Sequence, residues 1–169
     1  ALGRLCEKQD EARQAGERHA AYYLEVGSRA NALYKQGGEH ILAGLGRFRE
    51  AWPHLQAAWR RMAGEEAWPR PQGAERWLCD FPDRTTYVLD LTVTARERIG
   101  YRQRAAGAAR ALGDKQAEGV HLGNLGSAYK DLGEPRRAIE FYEQALDISR
   151  EIGDRRNEGA DLGNLGLAY

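Results

Sequence analysis

Apolar positions recur along most of this chain at alternating intervals of three and four residues, the spacing that gathers side chains on one face of an α-helix. Near the front, Ala20, Tyr23, Val26, Ala30, Leu33 and Tyr34 share such a face. The helix they predict ends at Gly37 and Gly38 and extends back as far as Leu2, with Gly16 a weak point inside it. After the glycines, Ile41, Leu45, Phe48, Trp52, Leu55, Trp59 and Met62 predict a second long amphipathic helix. Pro53 lies within it and should remove a backbone hydrogen bond and kink it, yet the apolar phase is the same on both sides.

The stretch AGEEAWPRPQG, residues 63–73, mixes prolines, a glycine and charges and is the candidate linker. Further on, TTYVLDLTVT has the β-branched alternation of a short strand. With helices on either side and no strand partner in view, it reads as a degenerate helix ending near Leu91, with Thr94 capping the next one.

The second half repeats itself. Gly113–Tyr129 and Gly153–Tyr169 share eleven identities in seventeen positions, a period of forty residues. The same register pairs Ile99 with Ile139, Tyr101 with Phe141, Ala105 with Ala145, Arg110 with Arg150 and Leu112 with Ile152, so an eroded copy precedes the clear one. Within the clear unit, Leu122, Leu125, Tyr129 and Leu132 form the face of one helix. Gly133 and Pro135 punctuate it, Gly favouring the left-handed exit and Pro the first turn of the next helix. Ala138, Phe141, Tyr142, Ala145, Leu146, Ser149 and Ile152 form the face of a second helix, closed by Gly153. The unit is a helix, a tight turn and a helix.

Three glycines, Gly119, Gly123 and Gly126, fall inside the first of these helices, where each costs about 0.5 to 1 kcal/mol relative to Ala. They lie on one stripe. Close approach of a neighbouring helix offsets that cost, with Tyr142 or Phe141 filling the space a side chain would take. Asn124 shares a different face with Val120, Ser127 and Asp131, and its copy Asn164 shares that face with Ala160 and Leu167. An Asn amide carries both donor and acceptor. Repeated every forty residues, such amides would form a ladder able to grip the backbone of an extended peptide; the alternative is an Asn tied to a neighbouring helix to fix register.

Composition narrows the reading mainly by exclusion. Of 169 residues, 25 are basic and 25 acidic, so no global field draws the chain to nucleic acid or anionic lipid. Arg96, Arg98, Arg102, Arg104 and Arg110 against Glu97 make the helix expected from Ala95 to Leu112 locally basic. Without interleaved aromatic residues this is expected to be an exposed, solubilising face rather than a nucleic-acid site. No run approaches the roughly 20 apolar residues of a membrane span. Cys6 and Cys79 stand in no CxxC pattern and no secretory signal precedes them, which fits reduced thiols in a cytoplasmic protein. There is no GxxxxGK[ST] cradle, no GxGxxG after a strand, no GxSxG, and no metal spacing among His19, His40, His54 and His121. No catalytic residue, cofactor or metal is therefore expected.

The motif residues Leu122, Leu125, Gly126 and Tyr129, then Gly133, Ala138, Tyr142 and Ala145, resemble a tetratricopeptide repeat of the forty-residue Leu-Gly-Asn type. The resemblance covers Ala95 to Tyr169; Arg150 stands where the family usually has a proline near the end of the unit. It implies an all-α, right-handed solenoid of stacked helical hairpins and a concave groove for a protein or peptide segment. That groove would be lined by Val120, Gly123, Asn124, Ser127, Lys130 and Asp131, then by Ala160, Gly163, Asn164 and Leu167. A second stretch, RHAAYYLEVGSRANALYKQGGEHILAGLGRFREAWPHLQAAWRRM, is similar to the segment that follows the winged helix in bacterial NB-ARC signal-transducing ATPases, which place a repeat array after their nucleotide switch. This resemblance implies the sensor arm of such a protein, with the ATPase upstream of Ala1.

The expected organisation is a front helical pair over 1–63, a linker over 64–73, a degenerate repeat over 74–112, and over 113–169 a full repeat plus the first helix of the next. The expected function is protein interaction and ligand sensing, without catalysis. The alternative is a structural spacer that self-assembles and takes no foreign ligand. Leu162, Leu165 and Tyr169 lack a following helix to cover them, so self-association through this last repeat is expected as well.

Overall fold

The computed structural model describes the backbone of residues 2–65 and 70–169, and side chains from Glu7 onward. The side chain of Cys6 and the central part of the linker stretch, 66–69, lie outside the described residues. Among the described residues there are eight helices and no strand: α1 (Leu2–Gln36), α2 (His40–Ala63), α3 (Ala74–Arg84), α4 (Thr86–Thr92), α5 (Ala95–Leu112), α6 (Lys115–Asp131), α7 (Pro135–Glu151) and α8 (Arg155–Ala168). This all-α succession, with a forty-residue repeat in its second half, is that of a helical-repeat solenoid.

The chain forms two units, Ala1–Val88 and Leu89–Tyr169. In the first, α1 and α2 pair along a seam of small residues. Gly16, Ala20, Gly27 and Ala30 on α1 are buried, as are Gly44, Ala51 and Ala58 on α2. The two backbones come close at Gly44, where a methyl group would lie 2.7 Å from the Ala30 carbonyl oxygen and 2.8 Å from the Tyr34 amide nitrogen. Larger apolar side chains fill in around this seam: Leu24 from α1, Phe48, Leu55, Trp59 and Met62 from α2, and Trp77, Leu78 and Phe81 from α3. Ile41, Leu45 and Trp52, expected on the same face, are only partly buried, because the smaller residues occupy its centre. α2 runs through Pro53 as one helix.

Two buried polar side chains of this unit bond the backbone of a neighbouring helix. The Trp77 indole donates to the Ala20 carbonyl at 3.0 Å. Asn31, which no apolar pattern singles out, accepts from the Tyr87 and Val88 amides at 2.9 and 3.3 Å and so satisfies donors at the start of α4. The TTYVLDLTVT stretch is helical from Thr86 to Thr92. Thr94 caps α5: its hydroxyl accepts from the Glu97 amide while the Glu97 carboxylate accepts from the Thr94 amide at 2.8 Å, a reciprocal capping box.

The second unit shows the forty-residue period in its burial as well as its sequence. Positions 102, 105, 106, 108 and 109 of α5 are buried, and so are 142, 145, 146, 148 and 149 of α7. Gly113 and Gly153 end their respective stretches in the left-handed region, at φ 70° and 72°. Asp114 and Asp154 then cap α6 and α8 through their side chains. Tyr142, fully buried, lies against Gly126; a methyl group there would come within 2.6 Å of its ring. Gly119 faces Ile148, which the apolar spacing leaves out of the packing face of α7, while Ile152, which that spacing includes, is 40% exposed. The basic character of α5 also resolves differently from the expected solvated face. Arg102 is 3% exposed and Arg98 largely buried, because α5 turns the side bearing these two arginines inward with Ile99, Ala105 and Ala106.

Candidate functional site

α6 and α8 are equivalent first helices of successive repeats, and a pocket of about 130 Å³ lies between them. From α6 it is lined by Val120, Gly123, Asn124 and Ser127, and from α8 by Ala160 and Asn164, six of the ten residues expected to line a groove. The other four lie outside it. Gly163, Leu167, Lys130 and Asp131 are exposed, and the Asp131 carboxylate is engaged by Arg98 at 3.0 Å. Three residues that the pattern did not suggest complete the lining: Gly119, Asn157 and Asp161.

The polar groups on this surface differ in how they are engaged. Among the described residues, neither the Asn124 nor the Asn164 side chain makes a hydrogen bond or ion pair, so neither amide is used to tie two helices together. The Ser127 hydroxyl is occupied, 3.3 Å from the Gly123 carbonyl and 3.1 Å from the Tyr142 hydroxyl. The Asn157 amide donates to Asp154 at 2.8 Å. Asp161 is 6% exposed, and its Oδ2 accepts from the Ser149 hydroxyl at 2.9 Å. Burial raises the Asp161 carboxyl above the ordinary aspartate range, the nearby charge of Asp154 adds to this, and the Ser149 bond opposes it.

Asn124 and Ser127 also line a smaller pocket of about 30 Å³ on the other side of α6, together with Asp90, Arg98, Arg102 and Ala128. Here charge is balanced. Arg98 reaches Asp131 at 3.0 Å and Asp90 at 3.9 Å. Burial raises the Asp90 carboxyl, while the positive charges of Arg102 and Arg98 pull it back. The surface of α6 therefore passes from a neutralised ionic cluster, across the Asn124 amide, to a lone carboxylate beneath α8.

A signal for the missed residues was present. Asp161 stands four residues before Leu165 and Arg102 three before Ala105, so each is a charge set into an apolar stripe, the arrangement that marks a residue held for a reason other than solvation. Elsewhere, His19 and His54 meet at 3.2 Å with Tyr23 stacked on His54, an arrangement no sequence spacing announces. Burial, then the neighbouring His54 and Arg61, lower the His19 pKa below its ordinary value. Among the described residues no three His, Cys, Asp or Glu side chains gather in a way that could hold a metal ion, and no helix is long and apolar enough to cross a membrane.

Residues 99–151, which take in most of α5 and all of α6 and α7, match the family model of the tetratricopeptide repeat. No curated protein matches the chain. The match, on an all-helical fold whose packing repeats every forty residues, supports a tetratricopeptide-repeat protein. Such repeats generally mediate protein interactions and are generally non-catalytic.

Proposed function

We propose that the unit spanning Leu89–Tyr169 is a protein-interaction module that takes an extended peptide segment between α6 and α8, with the Asn124 and Asn164 amides gripping its backbone. One observation carries this reading. Two amides forty residues apart face the same pocket, and each keeps donor and acceptor unspent among the described residues. An amide that fixed register between helices would be bonded to a neighbouring helix, and neither is. The test is selection of a random-peptide display library on the native chain and on the Asn124→Ala, Asn164→Ala variant. Sequences enriched on the native chain and lost on a variant of unchanged helicity are the expected result; equal enrichment on both would refute the groove.

In a larger context, the likeness of Arg18–Met62 to the segment after the winged helix of NB-ARC ATPases supports a sensor arm that relays occupancy of the groove to a nucleotide switch in a cytoplasmic bacterial signalling protein. The assay for this is a change in nucleotide hydrolysis by an upstream-extended chain when a selected peptide is added. A self-assembling scaffold is the second reading. Leu162, 47% exposed on α8, and Tyr169, 86% exposed after it, are the apolar residues such an assembly would cover, whereas Leu165, expected with them, is 8% exposed and belongs to the core. Light scattering that shows mass rising with concentration, and no peptide selected, would favour it over the first.

A further inference from the structure

Asp161 is a buried carboxylate for which the repeat itself has no use. Its positional equivalent one repeat earlier is His121, and the equivalent of its hydrogen-bond donor Ser149 is Ala109, so the Ser149–Asp161 pair is an addition to the repeat rather than part of its packing. Other shielded carboxylates of this unit have cations: Glu118 has Arg110 at 2.7 Å, and Glu158 has Arg150 at 3.1 Å and Arg155 at 2.9 Å. Asp161 has none. Among the described residues no ion pair reaches it, Oδ2 is occupied by Ser149, and Oδ1 has no partner. Among the described residues, the charge that acts on it is that of Asp154, of the same sign. The pocket it lines is otherwise walled by small residues and neutral amides.

A carboxylate largely shielded by protein, with one oxygen left open on a pocket, is matched better by a cation entering that pocket than by neutral groups alone. We propose that Asp161 is the specificity-determining residue of the groove and selects a lysine side chain of the bound segment, whose ammonium group occupies the pocket against Oδ1. This rests on the reading of the groove as a peptide site. Lysine rather than arginine follows from the hydrogen bonding. With Oδ2 held by Ser149, the carboxylate offers one free oxygen and cannot receive the two parallel bonds of a guanidinium fork, whereas a compact ammonium needs only a point of negative charge and further acceptors around it. The Asn124 and Asn164 amides line the same pocket and can supply those acceptors.

The experiment uses the full chain and the peptides enriched on it from the display library. A lysine common to the enriched sequences is expected, and replacing it by norleucine should weaken binding about tenfold or more, as for other close charge pairs at interfaces. On Asp161→Asn the same replacement should change affinity less than about twofold, which gives a double-mutant cycle whose peptide arm leaves the protein fold untouched. Ser149→Ala, which frees Oδ2, should raise the affinity of the arginine peptide relative to the lysine peptide. Enriched peptides without a common basic residue, or norleucine losses equal on native chain and Asp161→Asn, would overturn the assignment and leave the peptide groove standing. Enrichment that the Asn124→Ala, Asn164→Ala variant fails to abolish would overturn both.

Discussion

Gly126 and Gly166 occupy the same position in successive repeats, so the same substitution at both separates packing from intrinsic helix preference. In an open helix, Gly→Ala gains about 0.5 to 1 kcal/mol. At Gly166 the added methyl group meets nothing within 4 Å, so that gain should appear, reduced by the closeness of the helix end. At Gly126 it lands 2.6 Å from Cδ1 and Cε1 of Tyr142 and 2.9 Å from Cζ. The ring cannot swing out cheaply, because Tyr142 is fully buried and its hydroxyl is engaged with Ser127 at 3.1 Å. Overpacking of this kind costs about 1 to 3 kcal/mol, which exceeds the propensity gain. Gly126→Ala is therefore expected to destabilise by about 0.5 to 2 kcal/mol net, while Gly166→Ala stabilises by up to about 1. With urea m-values of about 1 to 3 kcal/mol per molar, each 1 kcal/mol moves the midpoint by about 0.3 to 1 M. Far-ultraviolet circular dichroism in urea reads the shift, and amide exchange locates it in α6 and α7. Two variants with midpoints moved by the same amount and in the same direction would refute the claim that Tyr142 requires the glycine.

Two further outcomes rest on charges in this unit. Because the folded Asp161 carboxyl is held above its unfolded value, the folded chain takes up this proton the more readily. The contribution therefore favours folding below the unfolded value and is lost as pH rises through the raised one. Asp161→Asn should be at least as stable as the native chain at neutral pH and should lose that advantage in acid; a variant less stable at both would contradict a cost of burial. Arg110→Met should cost more than Arg150→Met, by about 1 kcal/mol, because Arg110 serves a Glu118 side chain that is only 5% exposed and keeps Lys115 only at 4.0 Å, while the Glu158 side chain is 15% exposed and keeps Arg155 at 2.9 Å. Equal thermal midpoints for the two variants would refute this ranking.

How far the fold can be read from sequence depends on residue size. Helix ends were legible wherever chemistry punctuates the backbone: Gly37 and Gly38 after α1, Thr94 before α5, Gly113 and Gly153 before the two aspartate caps. The face of α2 was legible only in part. Counting large apolar residues picks out Phe48, Leu55, Trp59 and Met62 correctly but places Ile41, Leu45 and Trp52 with them, while the small residues Gly44, Ala51 and Ala58 are buried and Gly44 lies against the α1 backbone. Small residues carry little hydrophobic signal; their central place comes from the partner they admit. Arg102 failed for the complementary reason. Its charge suggested solvent, but it takes the place that Tyr142 takes one repeat later, and the long aliphatic stem of an arginine can be buried where its charge finds a carboxylate, here that of Asp90.

The repeat supplies its own control for the site. Positions that cap and pin the repeat are alike at an interval of forty residues: Asp114 and Asp154, Glu118 and Glu158, Arg110 and Arg150; so are the buried Ala105 and Ala145 and Leu125 and Leu165. Departures at positions that are buried in both copies cannot be ascribed to surface drift, since exchanging one buried side chain for another of different shape and charge has to be accommodated by its neighbours. Three such departures stand out: Arg102 against Tyr142, Ala109 against Ser149 and His121 against Asp161. The first places a charge in the smaller pocket lined by Asn124, and the second and third together build the hydroxyl–carboxylate pair of the larger one. The asparagine is constant while the charges on its two sides differ, which is the pattern expected if the amides hold any backbone and the residues around them choose the side chain. Exchanging the second pair for its counterpart, Ser149→Ala with Asp161→His, should then keep the helical fold and abolish the preference for lysine, whereas retention of that preference would place the selection elsewhere than Asp161.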